Sequence, residues 1–272
     1  MNILLYIIIF AMGSVFGSFL TLATYRIPLN QNITHERSYC PKCNHKLAFL
    51  DMIPILSYIF LGGKCRYCKT KISPRYLIIE LLSGVAFVIL AWLVRINVYT
   101  ITIPKIIEFM FGALYIVFLF LIAGIDKEHH KVDKRVLIYG LVISIGYMLY
   151  WFVIDSTFNP NRFILYLLII AFILLLSTYS LKKTGKDEYE LNVLIVLIIM
   201  VFFTYEVATI ISVIFTILIV ALKILANKIF NKSKKYNINT TNQPIALYLC
   251  IANALVVIFI NILSLVRWLN ER

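Results

Sequence analysis

Long apolar blocks alternate with short polar breaks along this chain, and the blocks are too long for strands. Apolar runs fall at roughly 3–22, 76–94, 105–125, 136–154, 163–181, 191–204, 207–226 and 245–266, most near the ~20 residues a helix needs to cross a bilayer. In hydrocarbon each backbone amide must find its partner within its own segment, so the runs are expected to be helices rather than open sheet. The pattern predicts an all-α polytopic membrane protein with about eight transmembrane helices. The sixth run is short and ends near Thr204, Tyr205 and Glu206, which reads as a tight hairpin or a partial crossing. The first run lacks a basic leader and a small-residue cleavage site, and so reads as an uncleaved anchor.

Composition agrees, with 61% of the 272 residues apolar. Charge adds orientation. The segments 26–75, 126–135, 182–186 and 223–235 hold twenty-one of the 26 Lys and Arg, and the opposite loops and C-terminus hold five. Basic loops stay in the cytoplasm, which places these four segments there and both termini outside the cell membrane. The net charge of +13 is thus a topology signal and an attraction to anionic headgroups of the lipid bilayer, with no nucleic acid expected as partner. Three segments follow: a first helix over 1–25, a cytoplasmic loop over 26–75, and a helical domain over 76–272.

The long loop carries two Cys-x-x-Cys pairs, Cys40/Cys43 and Cys65/Cys68, with twenty-one residues between them. Each pair can grip one metal ion through a tight turn, and four thiolates close a tetrahedral zinc site. Such a site has no open position for water, so its expected role is structural, as a zinc-knuckle loop. A reducing compartment argues against two disulfides. Four free thiols or a redox pair are the blander alternatives. Cys250 stands alone in an apolar run and reads as an inert core residue.

The residues around these pairs resemble a known family. "GSVFGSFLTLATYRIP", then "RSYCPKCNHKLAFLDMIPILSYIFLGGKCRYCKTKIS", then "PRYLIIELLSG" are similar to the N-terminal part of the type IV prepilin peptidases. The matching positions are Gly17–Leu20, Arg26–Pro28, Asp51–Pro54, Arg75–Tyr76 and Glu80, with Thr21 where Asn is common. The resemblance implies a membrane enzyme that cuts a short basic leader from prepilin or pseudopilin precursors on the cytoplasmic face. It also implies methylation of the new N-terminus from S-adenosylmethionine in many members. Proteolysis is ascribed there to two aspartates, one of them in a Gly-x-Gly-Asp motif.

Asp126 fits the first of these, at the cytoplasmic end of the third span in "LFLIAGIDKEHHKVDKRVLI". Its own helix C-terminus and partial burial both favour the protonated form. The plain alternative is an interfacial carboxylate paired with Lys127 or Lys131. His129 and His130 read as solvated residues of a basic loop, and Asp133 as the cap of the next helix. Glu108, Asp155 and Glu206 lie toward the outer face.

The second acid falls in "KKTGKDEYEL", residues 182–191. The resemblance puts it at Asp187, with Glu190 as the alternate. Neither alignment restores the motif: Asp187 has its one glycine out of register, and Glu190 has none and places Asn192 where the motif has Lys. Asp187 with Glu190 three residues on also reads as a capping box, which is compatible with catalysis. The Asn-rich segment 227–243 reads as a connector near anionic lipid.

Three readings remain open on sequence alone. The first is a working aspartyl peptidase. The second is a divergent relative with proteolysis lost, acting in methyl transfer or pilus assembly. The third is a transporter with a structural zinc knuckle, disfavoured by the few charges within the spans.

Overall fold

The computed structural model describes residues 1–33, 38–155, 160–184, 189–230 and 243–270. Among the described residues there are eight α-helices: α1 (Asn2–Arg26), α2 (Leu56–Phe60), α3 (Arg75–Leu93), α4 (Ile103–His129), α5 (Lys134–Ile154), α6 (Asn161–Thr184), α7 (Tyr189–Phe230) and α8 (Ile245–Asn270). Among the described residues six helical segments are long and apolar enough to cross a membrane, and Phe163–Tyr179 and Tyr189–Thr204 are shorter apolar helices. The chain is an all-α, multi-pass membrane protein. It divides into two units, Met1–Val117 and Phe118–Arg272.

In the first unit α1 lies along α3, and small residues set how close they come. A Cβ on Gly17 would sit 2.8 Å from Glu80 Cα and 2.9 Å from Ser83 Cβ. One on Gly13 would meet Phe87 Cβ at 2.8 Å. Two glycines four residues apart thus let the backbones touch, which is how helices associate in lipid, where apolar surface alone gives no preference for protein over acyl chains. Phe87 and Ala91 of α3 pack with Ile9, Ile96 and Phe109 around this seam.

In the second unit Phe118, Ile122 and Ile125 of α4 are buried, as are Leu137 of α5, Ile170 of α6 and Ile195, Ile199 and Met200 of α7. Gly140 of α5 lies so close to Phe118 that an added Cβ would come within 2.5 Å of its ring. The Asp133 carboxylate caps α5: Oδ1 accepts from the Arg135 amide at 2.9 Å, while the Arg135 guanidinium clasps both oxygens. The cap expected at Asp133 is therefore present.

α7 is helical over 42 residues, yet it is not a straight rod. Near its start Tyr189 accepts a hydrogen bond from the Ala246 amide, and near its end Lys223 donates to the Tyr248 hydroxyl. Ala246 and Tyr248 are two residues apart, whereas Tyr189 and Lys223 would lie about 50 Å apart on a straight helix. α7 therefore doubles back. Asn253 of α8 marks the bend, donating from Nδ2 to Thr204 Oγ1 at 3.2 Å and to Ser212 Oγ at 3.3 Å. Of the two readings of the stretch near Thr204, a hairpin or a partial crossing, the reversal is the one that fits, and it is made without leaving helical backbone.

Candidate metal centre and active site

The two cysteine pairs form matched turns. The Cys40 amide donates to His45 O and the Asn44 amide returns to Cys40 O; the Cys65 amide donates to Thr70 O and the Lys69 amide returns to Cys65 O. The fifth residue of each turn is left-handed, Asn44 at φ 54° and Lys69 at φ 57°. That conformation closes the loop and turns both sulfurs of a pair inward. Antiparallel pairing of Tyr39 with Lys46, and of Lys64 with Lys71, ties off each base. The His45 and Tyr67 rings, one from each turn, lie 3.5 Å apart at their centroids.

All four sulfurs fall within 4.8 Å of one another, with Cys40 Sγ and Cys68 Sγ 3.8 Å apart. Four thiolates at ~2.3 Å from one ion stand about 3.8 Å apart, whereas a disulfide requires ~2.05 Å. None of the cysteines is cross-linked. The Thr70 hydroxyl, 3.2 Å from Cys68 Sγ, draws that thiol down to about 6. At Cys43 the His45 amide favours the thiolate, but desolvation and the crowding of Cys68 and Cys40 push it up to about 11. Several thiolates this close repel unless a cation sits among them. The cluster can hold one metal ion.

Asp126 lies on the last turns of α4 and is fully buried, at 0% exposure. Its Oδ1 accepts from the Tyr189 hydroxyl at 2.9 Å, and its Oδ2 from the Leu247 amide at 2.8 Å. The Ala246 amide donates to the Tyr189 oxygen at 3.0 Å. An amide can only donate, so the phenolic proton is directed at Asp126. Ala246 and Leu247 belong to the first turn of α8, where backbone N–H groups have no partner in their own helix. The carboxylate thus supplies what those amides lack, and sits at the positive end of the α8 dipole. The burial expected of Asp126 is present. The influence of α8 was not foreseen, and it opposes that of the residue's own helix end.

α7 begins at this site. Asn192, one turn in and nearly fully buried, donates from Nδ2 to Val132 O at 3.3 Å and accepts from Ser177 Oγ at 3.1 Å. It thereby ties α7 to α6 and to the turn that follows Asp126. Glu190 is exposed, one residue past Tyr189, and no hydrogen bond between it and Asp126 is found among the described residues. Asp187 lies outside the described residues. Among those described, the cysteine cluster alone gathers three or more metal-ligating side chains, so His129 and His130 join no such group. Cys250 is buried in α8, as expected of a core residue.

Tyr189 and the α8 amides were missed from sequence. Pro244, just ahead of an apolar run, signals a helix start, but nothing local says which carboxylate reaches it from 121 residues away.

Residues 11–94 match the family model described as the bacterial peptidase A24 N-terminal domain. A prepilin leader peptidase/N-methyltransferase of Myxococcus xanthus is 44% identical over 81 residues, covering 30% of this chain and 24% of that protein. Proteins of the same description from Klebsiella pneumoniae and Bacillus subtilis are 29% and 33% identical over 158 and 134 residues. Those alignments cover 56% and 49% of this chain, and 63% and 50% of the relatives. The chain thus spans from 24% to 63% of these curated relatives' length. No solved structure matches it. Residues 11–94 are therefore similar to the bacterial peptidase A24 N-terminal domain, and the chain is similar over part of its length to prepilin leader peptidase/N-methyltransferases.

Proposed function

We propose that this protein is a membrane aspartyl peptidase that cleaves the basic leader of prepilin-like or pseudopilin precursors at the cytoplasmic face. The observation that carries the reading is the Asp126 carboxylate. It is buried at a helix end and held by two donors, beside the first turn of α7, the stretch next to which a second acid must stand. The names of the relatives supply the substrate class.

In this reading Asp126 and a second acid, Asp187 or Glu190, share one proton. The ionised member takes a proton from water as its oxygen attacks the scissile carbonyl carbon, and the protonated member polarises the carbonyl oxygen. Collapse of the tetrahedral species breaks the C–N bond and returns a proton to the leaving amine. The proton belongs to the pair, so neither acid has a fixed role. Tyr189 and the α8 amides hold Asp126 in place. With the carboxylate fully buried, substrate reaches it once Tyr189 or the first turn of α8 moves aside.

The metal of the cysteine cluster is zinc in this reading, closed to water and structural. Methylation of the new N-terminus from S-adenosylmethionine belongs to the same proposal, and no residue is assigned to it. The basic loops, the cysteine module and the Asp126 end of the helices face the cytoplasm.

Co-expression with a precursor carrying a basic leader and an apolar helix tests the reading. Mass spectrometry should find the leader removed and, where transfer occurs, one added methyl group on the new N-terminus. An intact precursor beside a folded, metal-loaded protein would overturn it.

A further inference from the structure

Between the two cysteine turns the chain runs "AFLDMIPILSYIFL", residues 48–61, and every apolar residue in it is at least partly exposed. Residues 49–52 form a single 3-10 turn packed beside α2. Phe49 is 78% exposed, Ile59 60% and Phe60 83%, and Leu50 and Leu56 are also open. The exposure has a direction. Leu56, Ile59 and Phe60 stand at i, i+3 and i+4, one face of α2. Tyr58, off that face, turns inward against Gly63 and donates to Ile72 O at 3.3 Å. The stretch has a single acid, Asp51, whose carboxylate is covered by Arg66 at 2.7 Å. The cysteine turns that flank this stretch in sequence carry Lys42, Lys46, Lys64, Lys69 and Lys71, all exposed. A soluble surface rarely carries so many large apolar side chains together.

The position of the ridge along the helices is constrained. The loop leaves α1 at Arg26 and enters α3 at Arg75, and those helices pack side by side, so both ends emerge at one end of the pair. The Ile55 amide donates to Glu80 Oε2 at 2.7 Å. Glu80 is about 7 Å along α3 from Arg75. Ile55 is therefore held level with the second turn of a membrane-spanning helix, and Phe49, Leu56 and Phe60 flank it.

We propose that the ridge formed by Phe49, Leu50, Leu56, Ile59 and Phe60 is a membrane-interface anchor of the cysteine module. It inserts among the headgroups and upper acyl chains of an anionic bilayer, with the lysines of both turns set against lipid phosphates. An apolar face rimmed by cations is the pattern of a segment lying in the interface plane. The anchor fixes the module against the membrane independently of catalysis.

Brominated-lipid quenching tests this on the full chain in vesicles of phosphatidylcholine and phosphatidylglycerol. Phe60→Trp and Phe49→Trp each add one reporter, read as the difference from the unsubstituted protein, with metal content confirming a folded module. Bromines near the headgroup end of the acyl chains should remove about half of the added emission, and aqueous iodide little. Iodide quenching without bromolipid quenching overturns the proposal. So does shielding seen only when precursor is added, which would make the ridge a substrate-docking face. Shielding that depends on protein density, rather than on lipid, would assign it to a second copy of the chain.

Discussion

Tyr189 donates its phenolic proton to Asp126 across 2.9 Å while accepting from the Ala246 amide, so one hydroxyl links the ends of α4, α7 and α8. Removing it leaves a buried carboxylate with one donor and a helix amide with none. Tyr189→Phe should lower kcat for precursor cleavage by about tenfold or more, the worth of one hydrogen bond to a charged group, with KM little changed. Steady-state kinetics, with thermal unfolding measured alongside, check this. A fall in stability with kcat intact would make the bond structural only.

The choice between the two candidates for the second acid is open to a paired substitution. If Asp187 serves, Asp187→Asn abolishes cleavage and Glu190→Gln preserves it; the reverse pattern assigns Glu190. Cleavage surviving both changes would remove the dyad from residues 182–191.

Loss of one thiolate should empty the cysteine cluster. Cys65→Ser is expected to lower bound metal from one ion per chain to none, and to expose residues 38–74 to protease. Elemental analysis and limited proteolysis read both. Acidification should release the metal as the thiolates protonate. Unchanged metal content in the variant would rule out the four-thiolate site.

The α1–α3 seam should not accept a larger side chain. Gly17→Leu forces atoms into the space of Glu80 Cα and Ser83 Cβ, so the helices must part, at about 1–3 kcal/mol. Thermal unfolding in detergent checks this, with Gly17→Ala expected to lie between Leu and the native glycine.

The α5 cap should be pH-dependent. Burial alone would raise Asp133, but the Arg135 guanidinium and amide hold its carboxyl below the usual carboxylate range. A carboxyl depressed on folding stabilises above its unfolded value, near ~3.9, and that stabilisation is lost as pH falls through the lower, folded value. Asp133→Ala should therefore cost about 1 kcal/mol at neutral pH and progressively less in acid. Unfolding midpoints of both proteins across that range measure it.

Features carried by local chemistry were readable in the sequence. The apolar runs, the paired Cys-x-x-Cys turns and the Asp133 cap each depend on residues within a turn or two of one another. Asp126 was legible as an acid at a helix end. Its partners were not, because Tyr189 and Leu247 meet it only through tertiary packing, 63 and 121 residues away. The reversal of α7 could be suspected at Thr204 but not drawn, since its clearest mark is Asn253 of a different helix. Glu80 matched a motif position, yet its task of holding the Ile55 amide shows only once the loop is folded.

Cleavage by Asp126→Asn tests the central claim most directly. The substitution keeps the size of the side chain and an oxygen to accept from Tyr189 or Leu247, but removes the ionisable group. The variant should fold, retain its metal and leave a co-expressed precursor uncut, while the unsubstituted protein removes the leader. Precursor cleaved at an undiminished rate by Asp126→Asn would contradict the assignment of this carboxylate to catalysis.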